Sequence, residues 1–245
     1  MKIVIPIGGI GNRLRMLSSV HNAGVRSICY INIRSDALNA CPSVYVNFDH
    51  FERVSIINLP KLPDKLIRRL LGGATQLIYY FSLGKLAAPY NIRSTSGAAF
   101  IICTCHEFKS GVKTAADFFP RAASDEGFKR SLSLEPARYN AMHIRLGDNK
   151  RAASRFDIEI YRNFIEESLI PVYVATDNAE LKARFVNDFP EKIFVSDLVP
   201  ERGTELGIAQ AVAELQFLKG ADNFLGSAQS SFSRLVYLLR GDSIE

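Results

Sequence analysis

No uninterrupted apolar run in this sequence comes near the roughly 20 residues that a membrane-spanning helix needs, so a transmembrane helical protein is excluded. The N-terminal apolar stretch, Met1 to Ile7, is too short for the core of a secretion signal and runs straight into a glycine-rich turn. It reads as the first strand of the fold, and the expectation is a cytoplasmic protein, with peripheral membrane contact compatible. Cysteine is scarce: Cys29, Cys41, Cys103 and Cys105 have no His/Cys partners at a zinc-finger spacing. They read as reduced, mostly buried thiols, and no metal site is expected. No run of Lys and Arg interleaved with aromatics marks a nucleic-acid surface. Internal repeats and low-complexity segments are absent.

What is present is globular. Apolar residues make up 47% of 245 positions and charged residues 22%, which excludes a disordered, collagenous or coiled-coil chain. The net charge of +5, with the basic residues scattered, suits an anionic ligand. A chain of this length buries about 70% of its unfolded surface and builds a core without staples.

The pattern begins with a strand, Lys2 to Ile7, a turn on Gly8, Gly9 and Gly11, a helix from about Asn12 to Ala23 and a strand at Ser27 to Ile33. Val44 to Phe48 is a candidate third strand. Helices are expected at Asp64 to Leu71, Gln76 to Leu86 and Asp125 to Leu134, and a buried strand at Ala98 to Thr104. From residue 140 the alternation is clear. Strands are expected at Ala141 to Arg145, Val172 to Ala175, Lys192 to Val195 and Asn223 to Leu225. Between and after them come helices at Asp157 to Leu169, Ala179 to Asp188, Thr204 to Lys219 and Ser230 to Leu239, with Asp157 and Thr204 as caps. Short continuous apolar strands alternating with helices mean parallel strands covered on both faces. The expected architecture is α/β, two Rossmann-like domains facing a cleft, at 1–137 and 138–245.

In open α/β sheets ligands bind beyond the carboxyl ends of the strands, so the segments there are the candidate site. The first is Gly8-Gly-Ile-Gly-Asn-Arg-Leu-Arg15. Gly9 and Gly11 let the backbone approach a ligand, and the helix behind them attracts anions. Leu14 leaves the dinucleotide fingerprint incomplete, and Asp36 meets its acidic position only loosely. Arg13 and Arg15 in the first helical turn oppose the helix dipole unless an anion visits. The second segment is His143-Ile-Arg-Leu-Gly-Asp148. His143 and Arg145 share one face of a strand, and an always-charged, bidentate Arg145 suits a diphosphate. The alternatives are an Arg145–Asp148 pair and a His143 buried in the core. The third is Ala175-Thr-Asp-Asn178, where Asp177 either meets a base or ribose or starts the next helix. The fourth is Gly226-Ser-Ala-Gln-Ser-Ser-Phe-Ser233, where Ser230 or Ser231 caps a helix and free N–H groups there can hold phosphate.

These four segments, in this order, resemble the motifs of the fucosyltransferase superfamily, which includes α1,2-, α1,6- and protein-O-fucosyltransferases. Gly-Asn-Arg-Leu-Arg is similar to the turn of the α1,6 group, and His143, Arg145 and Asp148 match the family's HxRxxD segment. The resemblance covers residues 1 to 24 and about 138 to 240. Leu146 stands where the α1,6 group commonly carries a second arginine, and Asp177-Asn178 where it carries two aspartates. The resemblance implies a GT-B fold, a cytoplasmic enzyme of polysaccharide biosynthesis, GDP-fucose as donor, a glycan or glycoconjugate acceptor, inversion at the sugar carbon and neither metal nor other cofactor. In that reading Arg145 neutralises the β-phosphate of departing GDP and His143 supports it. Ser230, Ser231 and Phe232 hold the diphosphate, and Asn12 and Arg13 reach across from the first domain. The alternatives are a transferase of the same fold using another nucleotide sugar, and a nucleotide-sugar-binding protein without catalysis.

Overall fold

In the computed structural model, the described residues are 1–35, 38–63, 65–66, 69–70, 87–88, 101–104, 111–120, 126–134, 136–147, 153–198, 201 and 203–242. The expected helix Gln76 to Leu86, and also Asp36, Cys105 and Asp148, lie outside them. The chain divides into two compact units, Met1–Ala122 with Pro200–Ala209, and Ala123–Val199 with Gln210–Glu245.

The first unit carries five strands: β1 (Lys2–Pro6), β2 (Ser27–Ile33), β3 (Arg53–Leu59), β4 (Ala87–Ala88) and β5 (Ile101–Thr104). They form one sheet in the order β3-β2-β1-β5-β4, every pair parallel. Helix α1 (Ile10–Asn22) connects β1 to β2. Leu14, Leu17 and Val20 are fully buried at the 3-residue spacing expected of one helix face. They lie with Val4 and Ile28 in the core.

Two expectations fail here. Val44 to Phe48 is not a strand: Pro42–Val44 is a 3₁₀ turn, and Tyr45 and Val46 are buried in the loop after it. Proline at the start of that turn has no N–H for a ladder. The real third strand is β3, an edge strand whose residues are mostly exposed. Ile56 and Ile57 are both exposed, so β3 lacks the alternation that marks a half-buried strand. Of the expected helix Asp64 to Leu71, Lys65, Leu66, Arg69 and Leu70 are helical.

The second unit carries α2 (Glu126–Lys129), β6 (Asn140–Ile144), α3 (Ile158–Glu167), β7 (Val172–Thr176), α4 (Ala179–Asp188), β8 (Ile193–Phe194), β9 (Phe224–Gly226) and α6 (Ser231–Arg240). Helix α5 (Glu205–Lys219) precedes β9. The sheet runs β8-β7-β6-β9, all parallel. Val172 to Ala175 are each 2% exposed or less, as a strand covered on both faces requires. Met142, Ile144, Ile165, Val174 and Phe185 form the core beside it. Asp157 caps α3 through the Glu159 N–H at 3.0 Å. Thr204 Oγ1 accepts from Gly207 at 3.0 Å as α5 begins. The expected helix Asp125 to Leu134 shrinks to the single turn of α2. Cys29, Cys41 and Cys103 are free thiols, and no described helix is long and apolar enough to cross a membrane.

Candidate functional site

The register of the second sheet brings three strand ends together. His143 on β6 is level with Ala175 on β7 and with Gly226 on β9. The segments after these strands therefore adjoin, which places His143, Arg145, Asp177 and the serine-rich turn at one edge of the sheet.

Arg145 forms an ion pair through Nη1 with Asp177 Oδ2; the side chains are 13% and 25% exposed. The same carboxylate accepts the backbone N–H of Leu146 at 2.9 Å and of Gly147 at 3.2 Å. A side chain at Gly147 would place its Cβ 2.7 Å from Asp177 Oδ2, so it would push the carboxylate from its present place over this turn. Asp177 thus holds Arg145 and the loop behind it. This differs from both expected roles. It is engaged by Arg145 rather than open to a base or ribose, and the next helix is started by Asn178, whose Oδ1 accepts the Leu181 N–H at 2.8 Å. A hydrogen-bonded, charge-assisted pair of this kind fixes a guanidinium plane.

The backbone N–H of Arg145 donates to Ser227 Oγ at 2.8 Å, and the Tyr161 hydroxyl lies 3.2 Å from the same oxygen. The Ser227 N–H in turn donates to Ser233 Oγ at 3.0 Å, and Ser233 Oγ lies 2.7 Å from His143 Nδ1. The His143 ring packs against Phe232, with centroids 4.8 Å apart and planes tilted by 30°. Burial, and then the charge of Arg145, pulls the His143 pKa from 6.5 down to about 4. The ring is uncharged at neutral pH. Arg145 brings the charge at this strand end, and His143 is a neutral hydrogen-bonding group.

Ser230 is the N-cap of α6: its side chain accepts the Ser233 N–H at 3.3 Å. Ser231 and Phe232 follow as the first two helical residues, and their N–H groups have no acceptor among the described residues. They sit at the positive end of the helix dipole, beside Arg145 and His143. An anion with several oxygens is the ligand such a cluster can serve.

Gly9, Gly11, Asn12 and Arg13 form a separate group in the first unit, after β1. Gly9 is the N-cap of α1 with extended backbone and no side-chain cap. Among the described residues, and apart from its chain neighbours, no atom lies within 4 Å of where a Gly9 Cβ would sit, so these residues leave room beside this turn. Gly11 is buried in the first helical turn, and Asn12 Oδ1 accepts from Arg15.

Arg13 has a task the sequence did not suggest. It is 1% exposed. Its Nε donates to Gly8 O at 2.9 Å, Nη1 to Asn32 Oδ1 at 2.9 Å and to the Tyr45 hydroxyl at 3.1 Å, and Nη2 to Ile33 O at 2.9 Å. Gly8 itself is left-handed, with φ of +88°. Arg13 therefore pins the turn after β1 to the end of β2 and does not reach out to a ligand. All four acceptors are neutral. Among the described residues no carboxylate pairs with this buried cation, an arrangement that is costly and leaves positive potential behind the Gly8–Gly9 turn.

Three residues of the strand-end network were not singled out from the sequence: Ser227, Ser233 and Tyr161. Ser233 lies three residues after the N-cap, the spacing at which an i, i+3 pair shares a helix face, and that spacing is the signal that marks it.

No family model matches the chain, and no curated protein matches it in sequence. Solved structures do match in fold. The NodZ α1,6-fucosyltransferase soaked with GDP-fucose aligns over 97% of this chain and 92% of its own, with 16% identity and a TM-score of 0.56. The same enzyme co-crystallised with GDP aligns over the same shares with 16% identity and a TM-score of 0.54. NodZ from Bradyrhizobium gives 18% identity and a TM-score of 0.55, again over 97% and 92%. At such identities the likeness concerns the fold: the chain has an α/β, GT-B-like fold of fucosyltransferase type.

Proposed function

We propose that the chain is a glycosyltransferase that moves a sugar, fucose from GDP-fucose in the first instance, to a hydroxyl of a glycan or glycoconjugate. The observation that carries this reading is the convergence of Arg145, neutral His143 and the α6 N–H groups of Ser231 and Phe232 at one sheet edge. In this reading the second unit is the donor side and the first the acceptor side.

An acceptor hydroxyl attacks the anomeric carbon from the face opposite the diphosphate, its proton passes to solvent, and the sugar–phosphate bond breaks with inversion. The bonding electron pair leaves with GDP, so negative charge grows on the diphosphate oxygens. Arg145 neutralises it, held in plane by Asp177, while His143 and the helix N–H groups donate hydrogen bonds. Fixed donors and a fixed cation stabilise charge as it develops without reorganising, so no divalent metal is required. Arg13 contributes potential to the Gly8–Gly9 turn rather than a contact. The free thiols of Cys29, Cys41 and Cys103 suit a reducing compartment, in keeping with a cytoplasmic enzyme.

The test is a thermal-shift panel of GDP-fucose, GDP-mannose, UDP-sugars and dTDP-sugars in excess chelator, followed by donor hydrolysis without acceptor. Ligand at 100 times its Kd stabilises by about 2.7 kcal/mol. Selective stabilisation by GDP-sugars with slow hydrolysis supports the transferase. Stabilisation without hydrolysis or transfer to any acceptor leaves a binding protein. Activity that vanishes in chelator and returns with manganese refutes the metal-free mechanism.

A further inference from the structure

The contact between His143 Nδ1 and Ser233 Oγ, 2.7 Å long, can be donated from either side. The surroundings of Ser233 decide which. Ser233 is 1% exposed, so its hydroxyl is closed to water. Its oxygen already accepts the Ser227 N–H at 3.0 Å. A serine hydroxyl has one hydrogen to give and two lone pairs.

If Nδ1 carried the ring proton, Ser233 Oγ would accept twice, and its own hydrogen would meet no acceptor among the described residues. If Nδ1 is bare, the hydroxyl donates to it, and every hydrogen in the chain Ser227 N–H, Ser233 O–H finds a partner. A buried polar hydrogen without a partner is disfavoured by roughly tenfold or more. Double protonation offers no third arrangement, because burial and Arg145 hold the ring uncharged near neutral pH. Phe232, packed on the ring, keeps its plane in place.

We infer that Ser233 is a positioning residue: it holds His143 in the tautomer that carries its proton on Nε2. The imidazole then presents an N–H donor, the polarity a diphosphate oxygen needs. The opposite tautomer would present a lone pair and repel that oxygen. The use made of the donor rests on the diphosphate reading above; the tautomer does not. Ser233 acts through His143, and the same hydroxyl ties the ring to Ser227 and so to the backbone of Arg145.

The test is nitrogen-15 spectroscopy of the imidazole in the ligand-free protein at neutral pH. The chain has four histidines, and His143→Gln assigns the signals by their loss. The expected result is a bare Nδ1 and a protonated Nε2. A protonated Nδ1 in the wild-type protein overturns the inference without recourse to any variant. Ser233→Ala, measured with its melting temperature, should shift the ring toward the other tautomer and weaken GDP binding about tenfold, the scale of one lost hydrogen bond. A folded Ser233→Ala protein with the wild-type imidazole spectrum also overturns it. If wild-type protein shows the expected tautomer but binds no GDP, the nucleotide-sugar reading falls and the tautomer stands.

Discussion

Replacing Arg145 separates a catalytic cation from a structural one. The guanidinium and Asp177 are 13% and 25% exposed, and Asp177 keeps two backbone N–H donors when the cation is removed. Breaking a fully buried pair costs about 3–5 kcal/mol. The remaining donors and the exposed quarter of the carboxylate reduce this to about 2 kcal/mol. In a chain of this size that lowers Tm by roughly 4–8 °C. The effect on turnover is separate. Charge on the leaving diphosphate grows toward the transition state, so the interaction is stronger there than in the bound donor. Loss of one such stabiliser costs at least about a hundredfold in turnover, or about 2.7 kcal/mol. Arg145→Lys should restore part of the stability but little of the rate, because an ammonium lacks the bidentate fork. The assay is donor-saturated turnover per folded molecule, with melting curves for wild type, Arg145→Ala and Arg145→Lys. A folded Arg145→Ala protein with near-normal turnover refutes the reasoning, since it reduces Arg145 to a partner of Asp177.

The remaining predictions concern the turn, the buried arginine and pH. Ser230→Ala should cost about 1 kcal/mol of stability as a lost N-cap, whereas Ser231→Ala should leave the melt unchanged; calorimetry of both with GDP shows whether either side chain also binds phosphate. Arg13→Met should destabilise by about 3 kcal/mol or more in chemical denaturation, because the carbonyls of Gly8 and Ile33 lose the arginine donor and Asn32 Oδ1 keeps only the Tyr45 hydroxyl in a buried site; a change under 1 kcal/mol would contradict its role as a pin. Below pH 6.5 the unfolded chain takes up a proton that folded His143 refuses until about pH 4. Stability should therefore fall by about 3 kcal/mol as pH drops through that window, with no contribution from this residue above it. His143→Gln should flatten the slope, and equal slopes in the two proteins would contradict the buried neutral ring.

Much of the fold was legible because its strands are short apolar runs between turn residues. Ser27 to Ile33 is strand β2 as read, and the strands and helices after residue 140 fall within a few positions of expectation. The misses share a cause. Strand β3 is an exposed edge, so no alternation marks it, while Val44 to Phe48 is apolar because it is a buried loop. Hydrophobicity reports burial, and burial is not the same as a strand. The site was legible as segments but not as contacts. An Arg145–Asp148 pair was one alternative, and Asp148 lies outside the described residues; the ion pair with Asp177, just after the neighbouring strand, is set by sheet order and is not visible in the sequence. Arg13 looked like a ligand-facing cation because helix position was visible and the inward acceptors Asn32 and Tyr45 were not.

The most direct test of the central claim is a crystal structure with GDP bound in the absence of divalent metal. The account predicts diphosphate oxygens within hydrogen-bond reach of the Arg145 guanidinium, His143 Nε2 and the N–H groups of Ser231 and Phe232. GDP bound elsewhere, or no GDP at saturating concentration, would contradict it.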